Sequence, residues 1–295
     1  MSRYLLCRPC GGFNDMMCRI SAGLGYAQRS NRTIIIDTEF SKRWSENCFQ
    51  QPFGSVFELK NPLNNILLRL TPALLSELQQ LPTYPPALAG KLHEPTPTDK
   101  WVVKKLADCI CHVNLVSDDI PLVVYQQCGG GNIAVNALQY FRFHPLVAAT
   151  IRKRLRRLPT EYQAIHIRNT DRKTNYLPFF QTIKPQMKGQ NLLICSDDAR
   201  CIDDGRELFD ESNIITLSNI PRISKPLHHI GKDDENYDKH TMNVDMLTDL
   251  MGLAGSSKIH TQSSQHLSTI NISGYAYLAQ SLQQQPRLRK QLLHG

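Results

Sequence analysis

The chain has 295 residues, of which 41% are hydrophobic and 20% charged. This composition excludes a largely disordered protein and predicts an ordinary buried core, in two modest domains or one large one. The formal net charge of +8 favours anionic partners, without choosing among nucleotide phosphates, nucleic acid and an anionic membrane surface.

The start of the chain and its cysteines point to the cytoplasm. The opening "MSRYLLCRPCGG" has too short an apolar run for a signal peptide, and no stretch approaches the ~20 apolar residues of a membrane helix. An odd number of cysteines, nine, without a signal predicts reduced thiols. A zinc or redox site is an alternative, built from Cys7, Cys10, Cys109, Cys111 and His112. Because these spacings match no common zinc frame, buried or incidental thiols are the preferred interpretation.

The first elements along the chain predict a βαβ unit. Strand patterns occupy 3–8 and 32–38, and a Gly-rich turn and a helical pattern lie between them. The helical pattern consists of Met16, Met17, Ile20, Leu24 and Ala27. Strand, helix, strand predicts a parallel pair. The region 60–160 is predicted to be mostly helical, broken by a Pro-rich loop (81–98) and by "QQCGGGN" (126–132).

Strands and helices alternate again after residue 160. The strand candidates are 163–168, 191–196, 213–218 and 258–263. Helical patterns separate at least two of them, at 199–209 and 244–255. The last segment, 263–285, predicts a helix that begins at a serine cap. We find no internal repeat. The alternation of strands and helices at both ends of the chain is most simply explained by two α/β halves, 1–158 and 159–295.

Four strand ends carry unusual polar groups, at the edge where open parallel sheets bind ligands. They are "CGGFND" (10–15), "HIRNTD" (166–171), "CSDDAR" (195–200) and "TQSSQ" (261–265). The paired glycines of the first let backbone approach a ligand closely. Arg168 can grip a phosphate with a forked pair of N–H groups.

The other two ends complete a predicted nucleotide diphosphate site. Asp197 and Asp198 can accept hydrogen bonds from ribose hydroxyls or base edges. Ser263 and Ser264 are predicted to stand at a helix N-terminus, which suits a phosphate. Each group alone has an ordinary explanation: a turn, a helix cap or, for His166, a satisfied core histidine. Their shared position at successive strand ends favours function.

These motifs resemble those of one family. "HIRNTDR" is similar to the H-x-R-R-T-D-K motif of the fucosyltransferase superfamily, which includes alpha-1,6-fucosyltransferases and protein O-fucosyltransferases. The glycine loop, "SDDAR" and "TQSSQ" resemble its other motifs, in family order from residue 11 to 265. The resemblance implies a GT-B architecture, with two Rossmann-like domains and a cleft between them. It also implies inverting transfer from a GDP-sugar, usually GDP-fucose, with no metal ion and no cofactor.

The resemblance also assigns roles. Arg168 would hold the β-phosphate and the departing oxygen, and His166 would contact the nucleotide. The glycine loop would line the donor with Gly11, Gly12, Phe13 and Asn14. The third motif would cradle the pyrophosphate with Ser263, Ser264 and Gln265. An aspartate upstream of it would bind guanine, and Asp245 and Asp249 are both candidates.

Metal-free transfer agrees with elementary electrostatics. A diphosphate leaving group gains negative charge as the glycosidic bond breaks, and either Mg²⁺ or fixed cations and N–H dipoles must stabilise that charge. The chain has no Asp-x-Asp motif in the setting that a metal-dependent transferase requires. Arg168 and a helix N-terminus can replace the metal.

The chain departs from the family pattern at two positions. The family's second arginine is Asn169 here, so one phosphate contact is missing or comes from Arg172 or Lys173. The family's glutamate base falls at Tyr176, which is mostly protonated at neutral pH because the reference pKa of tyrosine is ~10. An inverting transfer to a hydroxyl needs a general base.

Two aspartates remain as candidates for that base. Asp171 lies among cations that keep it ionised but weaken it as a base. Asp15, past the glycine turn, is the favoured candidate, although a first-turn acid also complements the helix dipole. The predicted catalytic residues are therefore Arg168, Asp15 and Asp171.

The sequence thus predicts a cytoplasmic glycosyltransferase that moves fucose from GDP-fucose to a glycan or lipid-linked glycan in bacterial surface polysaccharide synthesis. The compact chain without a signal supports the bacterial assignment. Alternatives are a different donor sugar, or a catalytically weak sugar-nucleotide-binding module. The basic run "IRKRLRRL" (151–158) suggests nucleic-acid binding as a further possibility, but we expect it to be the solvated face of a helix. The tail "RLRKQLL" (287–293) suggests a peripheral contact with the inner membrane surface.

Overall fold

The protein consists of two compact α/β units. The structure, a computed structural model, describes residues 2–39, 47–63, 65–92, 119–127, 129–170, 173–222, 230, 235–262 and 272–294. The units are Met1–His144 and Pro145–Gly295. Among the described residues, no helix combines the length and the apolar character needed to cross a bilayer.

The first unit is built on a parallel sheet of five strands. The strands of the whole unit, in and outside this sheet, are β1 (Tyr4–Pro9), β2 (Thr33–Ile36), β3 (Phe57–Leu59), β4 (Ile66–Leu67), β5 (Thr83–Tyr84), β6 (Leu122–Gln127) and β7 (Phe141–Phe143). Its helices are α1 (Phe13–Arg29), α2 (Pro72–Leu78) and α3 (Ala134–Leu138), with 3-10 turns at Phe53–Ser55 and Pro86–Leu88. The sheet order is β4-β2-β1-β6-β5, and all its pairs are parallel. β3 and β7 form a separate antiparallel pair.

The predicted βαβ unit, β1-α1-β2, is confirmed. Leu5 and Leu6 of β1 are fully buried, because helices and loops cover both faces of a parallel sheet. Gly23 lets α1 lie close to the sheet, since a Cβ there would be 3.2 Å from the side chain of Ile34.

The prediction that 60–160 is mostly helical is wrong. The described part of this region contains four short strands and only three helices, and β6 is an inner strand of the sheet, beside β1. β6 is a continuous apolar run, LVVY, that is buried throughout. Such a run lacks the alternation that reveals a half-buried strand, so periodicity alone cannot distinguish it from a buried helix.

The second unit contains all four of the predicted strands. They are β8 (Gln163–Ile167), β9 (Asn191–Ser196), β10 (Asn213–Ile215) and β11 (Ile259–Thr261). The helices are α4 (Pro145–Leu155), α5 (Tyr176–Met187), α6 (Ala199–Leu208), α7 (Lys239–Gly255), α8 (Gly274–Gln283) and α9 (Pro286–His294). The sheet order is β10-β9-β8-β11, and every pair is parallel.

Two helix boundaries differ from the prediction because of caps. α7 begins earlier than residue 244, since the Asp238 carboxylate accepts hydrogen bonds from the N–H groups of His240 and Thr241. α8 begins at Gly274, where Ser273 is the capping serine. Residues 263–271, in which the predicted helix start falls, lie outside the described residues. α4, which the sequence placed in the first half, packs against α7 in the second unit.

The strand order locates a ligand-binding edge in each unit. In the second sheet the chain runs outward from β8 to β9 and β10, then places β11 on the other side of β8. In the first sheet, β1 similarly has β2 on one side and β6 on the other. Ligands of open α/β sheets bind at such reversals, outside the carboxyl ends of the strands. The two candidate edges therefore lie after β8 and β11, and after β1 and β6.

Candidate functional site

Arg168 lies directly after β8, at the reversal point of the second sheet. The residue is half-buried, and its carbonyl accepts a hydrogen bond of 3.1 Å from the Thr174 hydroxyl. The backbone that carries the guanidinium is thus tied to the loop that leaves the strand. A fixed cation at the carboxyl end of a parallel strand can stabilise an anionic ligand.

His166 is held in its neutral form next to this arginine. Burial, together with the positive charge of Arg168, lowers the pKa of His166 to about 4. Its ring centroid lies 5.3 Å from that of Tyr275, and the Tyr275 hydroxyl donates a hydrogen bond to the carbonyl of Met246 in α7. A neutral imidazole can both donate and accept a hydrogen bond. Sequence reasoning missed Tyr275, which sits just after the third motif.

Asp197 and Asp198 support the loop after β8. Asp197 accepts a hydrogen bond of 2.6 Å from the backbone N–H of Asn169 and another from the Thr170 hydroxyl. Asp198 caps α6 and binds the Arg200 side chain. Both carboxylates thus have protein partners in and beside this loop, and their expected contacts with ribose or base stay a prediction. For Asp198 the ordinary explanation, a helix cap, is the one observed.

Asn169, which the motif resemblance aligns with the family's second arginine, is buried. It is 6% exposed. Its amide donates to Asp198 at 3.0 Å and accepts from the N–H of Thr174 at 3.0 Å. Lys173, the predicted substitute cation, donates to the Asn169 carbonyl at 2.9 Å. Asn169 therefore fixes the loop that presents Arg168 and does not extend toward a phosphate.

Tyr176, at the family's glutamate position, is held as a phenol. Its hydroxyl donates to the carboxylate of Asp204. Burial and this hydrogen bond raise the pKa of Tyr176 above its ordinary value. A phenol that is harder to ionise than free tyrosine is a poor general base at neutral pH.

The two candidate guanine ligands, Asp245 and Asp249, differ in their surroundings. Asp245 is buried, ion-paired with Arg154, and accepts from the N–H of Asn219 at 3.2 Å. Asp249 is also buried, and its Oδ1 atom has no hydrogen-bond partner among the described residues. Burial raises the pKa of Asp249 to about 7, where the Asp245 charge also raises the pKa and hydrogen bonds with Ser218 and Cys195 lower it. Asp249 alone of the two keeps an acceptor atom for a ligand.

The glycine loop of the first unit follows β1. Gly11 adopts a φ of +89°, which favours glycine, and its carbonyl accepts from the N–H of Cys48 at 3.0 Å. Gly12 caps α1. The side chain of Phe13 is 3% exposed and stacks on Phe49 and Phe57. The Phe13 ring is therefore part of the core of the first unit, and its predicted donor contact stays a prediction.

A second glycine loop, Gly129–Gly131 after β6, lies against the first turn of α1. Asn14 is 4% exposed and donates to the carbonyl of Gly131 at 3.2 Å, while its Oδ1 has no partner among the described residues. A Cβ at Gly130 would lie 2.5 Å from Oδ1 of Asp15, and one at Gly11 would lie 2.8 Å from Oδ2. The Asp15 carboxylate thus sits between two glycine loops. The sequence pattern indicates only a break between helices at the triple glycine, although such a composition also permits a close approach of backbone.

Some predicted residues cannot be placed. Asp171, Arg172, Ser263, Ser264, Gln265, Cys109, Cys111 and His112 lie outside the described residues. Cys7 and Cys10 are buried thiols, and burial raises the pKa of Cys7 above its ordinary value. In the described part of the chain, no three His, Cys, Asp or Glu side chains group closely enough to hold a metal ion.

Comparison with known proteins agrees with the motif resemblance at the level of fold. No family model and no curated protein sequence matches the chain. Among solved structures, NodZ alpha-1,6-fucosyltransferase co-crystallized with GDP matches with a TM-score of 0.65 and 16% identity, over 96% of this chain and 93% of that chain. NodZ from Bradyrhizobium matches with a TM-score of 0.65 and 15% identity, over 96% and 94%. POFUT1 in complex with GDP matches with a TM-score of 0.54 and 11% identity, over 99% and 96%. The fold of this chain is therefore that of the fucosyltransferase structures, as its motifs predicted.

Proposed function

We propose that the protein is an inverting, metal-independent glycosyltransferase that transfers fucose from GDP-fucose to a glycan acceptor. The observation that carries the proposal is the pair His166 and Arg168 at the reversal point of the second sheet. They occupy the ligand-binding edge of a fold shared with fucosyltransferases, of which NodZ was crystallised with GDP and POFUT1 with GDP-fucose. In this proposal the two units are the two domains of a GT-B enzyme.

The second unit holds the donor in this proposal. Arg168 binds the diphosphate and offsets the charge that develops on the leaving oxygen, as a metal does in other transferases. Neutral His166 gives the nucleotide a hydrogen-bonding group without placing a second positive charge beside Arg168. The residues of the third motif, Ser263, Ser264 and Gln265, complete the pyrophosphate site.

Asp249 is the proposed guanine ligand. Guanine presents an N1–H and an exocyclic amino group on one edge, and a carboxylate can accept from both. The Oδ1 atom of Asp249 is buried without a partner among the described residues, whereas Asp245 is engaged by Arg154. Leaving a buried acceptor unpaired costs about 1–3 kcal/mol, so a ligand that supplies the donor recovers that cost.

The first unit supplies the base and the acceptor side. Asp15 is the proposed base, because its carboxylate lies between the two glycine loops and the phenol of Tyr176 is bound to Asp204. Bacterial surface polysaccharide synthesis in the cytoplasm is the setting that we propose, and the acceptor is a glycan or a lipid-linked glycan.

Nucleotide-dependent thermal unfolding tests the donor. We expect GDP to raise the melting temperature more than UDP, CMP or ADP at equal concentration, without added metal. A ligand at a hundred times its dissociation constant stabilises the native state by about 2.7 kcal/mol. A larger shift with UDP, or a strict requirement for Mn²⁺ or Mg²⁺, would contradict the proposal.

A second candidate is a sugar-nucleotide-binding module with weak activity. It is favoured by the loss of the family's glutamate and second arginine, replaced here by Tyr176 and the buried Asn169. Release of GDP from GDP-fucose in the presence of a bacterial glycan extract separates the two candidates. GDP binding without any acceptor-dependent turnover would favour the module.

A further inference from the structure

The excess positive charge of the chain is confined to two segments. Residues 145–158 and 286–294 carry eight of the 34 Lys and Arg residues and no Asp or Glu. The other 26 cations equal in number the 26 acids of the chain. The net charge of +8 is therefore a property of these two segments and not of the surface as a whole.

The two segments form one surface, which we call the basic face. α4 and α9 pack against each other, and a side-chain N–H of Arg152 donates to the carbonyl of Leu293. Val147, Ala148 and Ile151 of α4 are buried, as are Leu288 and Leu292 of α9. Because these apolar stripes face inward, the opposite faces of both helices point to solvent.

Five of the eight cations are exposed. They are Lys153, Arg156, Arg157, Arg287 and Lys290. On α9, Arg287, Lys290 and His294 recur at helical spacing along one exposed stripe. Of the eight, Arg154 alone is ion-paired among the described residues, with Asp245. A cluster of like charges without acids repels itself, so it stabilises the fold poorly and is better explained by an anionic partner.

An exposed leucine distinguishes among anionic partners. Leu146 is 73% exposed and lies on the outward side of α4, in line with Ala149 and Lys153. Polyanions such as nucleic acid are held by the cations alone. A lipid surface engages both features, since interfacial helices place cations at the headgroups and apolar side chains in the acyl boundary.

We propose that the basic face docks on an anionic phospholipid surface, with the five exposed cations at the headgroup phosphates and Leu146 inserted between the lipids. The contact is peripheral and electrostatic. It is therefore weakened by salt, because the Debye length is only ~8 Å at physiological ionic strength. This inference stands apart from the donor site and does not depend on the sugar transferred.

Vesicle sedimentation of the full chain tests the proposal, using phosphatidylcholine vesicles with and without about one third phosphatidylglycerol. The patch variant replaces the five exposed cations of the basic face by Gln. A control variant replaces five exposed cations elsewhere by Gln, so that both lose the same net charge: Lys60, Arg69, Lys91, Lys188 and Arg206. Melting temperatures without vesicles, and GDP binding, show whether each variant is folded.

We expect the wild type and the control to bind anionic vesicles only, and the patch variant to lose roughly fivefold in partitioning per cation removed. Leu146→Ser should weaken vesicle binding by about tenfold at unchanged charge. Equal losses in patch and control variants would overturn the proposal, and so would wild-type protein that stays in solution. Binding to duplex DNA with no binding to vesicles would also overturn it, in favour of a nucleic-acid partner.

Discussion

Asp15 and Gly130 are in direct contact, although they belong to different loops. A methyl group on Gly130 would lie 2.5 Å from Oδ1 of Asp15, closer than any real carbon contact allows. A side chain at Gly130 would therefore displace the Asp15 carboxylate, although Gly130 itself has no positive φ. This close approach brings the loop after β6 against the first turn of α1, beside the proposed base.

Gly130→Ala should displace the Asp15 carboxylate and lower the transfer rate by about ten- to a hundredfold, because a misplaced base transfers protons poorly. GDP binding should be largely retained, since Arg168 and Asp249, the proposed ligands of the diphosphate and the guanine, lie in the other unit. Gly25→Ala, within α1, is the matched control and should retain activity. Wild-type transfer by Gly130→Ala would remove Asp15 from the mechanism.

Asp15→Asn tests the base directly. Loss of a general base lowers turnover by on the order of a hundred- to ten-thousandfold, while the amide keeps the shape of the side chain. Asp171→Asn is the comparison, because Asp171 was the other candidate from the sequence. Transfer rates and GDP affinities are measured for both variants. If Asp171→Asn loses transfer and Asp15→Asn does not, the two roles are exchanged.

Arg168→Ala should lower turnover by on the order of a hundredfold or more, the usual effect of removing one preorganised charge stabiliser. The fold should be retained, because the residue is half-buried at the edge of the sheet. Arg168→Lys should restore little activity, since an ammonium cannot make the forked contact. Near-normal turnover by Arg168→Ala would show that the diphosphate is held elsewhere.

GDP affinity should depend on pH through Asp249. The pKa of this group is raised to about 7, so below pH 7 the carboxyl is protonated in the free protein. Guanine needs the ionised form, and GDP affinity should fall roughly tenfold per pH unit below 7. Calorimetric titration of GDP from pH 5 to 8 measures this slope. Asp249→Asn should abolish the slope, and an unchanged slope would assign it to another group.

The same group should affect stability with a definite sign. A carboxyl whose folded pKa is raised from 3.8 to about 7 favours the protonated native state. The contribution of this group to the free energy of unfolding is present at low pH and is lost as the pH rises from about 4 to 7. Asp249→Asn should therefore raise the melting temperature more at pH 8 than at pH 5. A stabilisation that does not vary with pH would argue against burial of an ionised carboxylate.

His166 should remain neutral throughout the physiological range. Its pKa of about 4 predicts that its contribution to stability is intact above about pH 6.5 and is lost as the pH falls toward 4. Proton NMR of the ring follows this titration. Tyr275→Ala removes the neighbouring ring, which should let water in and move the pKa of His166 back toward 6.5. A titration near 6.5 in the wild-type protein would contradict the assignment.

Much of the second unit could be predicted from the sequence. Its four strands are short apolar runs bounded by polar exits, and local pattern is enough to locate them. The polar exits of β8 and β9 also identified Arg168 and Asp197 as residues of one edge, because parallel strands end at the same edge of a sheet. The motif order over nearly the whole chain predicted the fold that the solved fucosyltransferase structures share.

What the sequence could not decide depends on contacts between distant residues. β6 joins β1 across more than a hundred residues, and its buried run has no period to reveal it. Asp197 and Asp198 look the same in sequence whether they face a ligand or, as here, hold Asn169. Only the packing raises the pKa of Asp249, brings Gly130 against Asp15 and joins α4 to α9 as one basic face. The pattern of a sequence records local preference, whereas burial, pairing and charge environment are set by which residues the fold brings together.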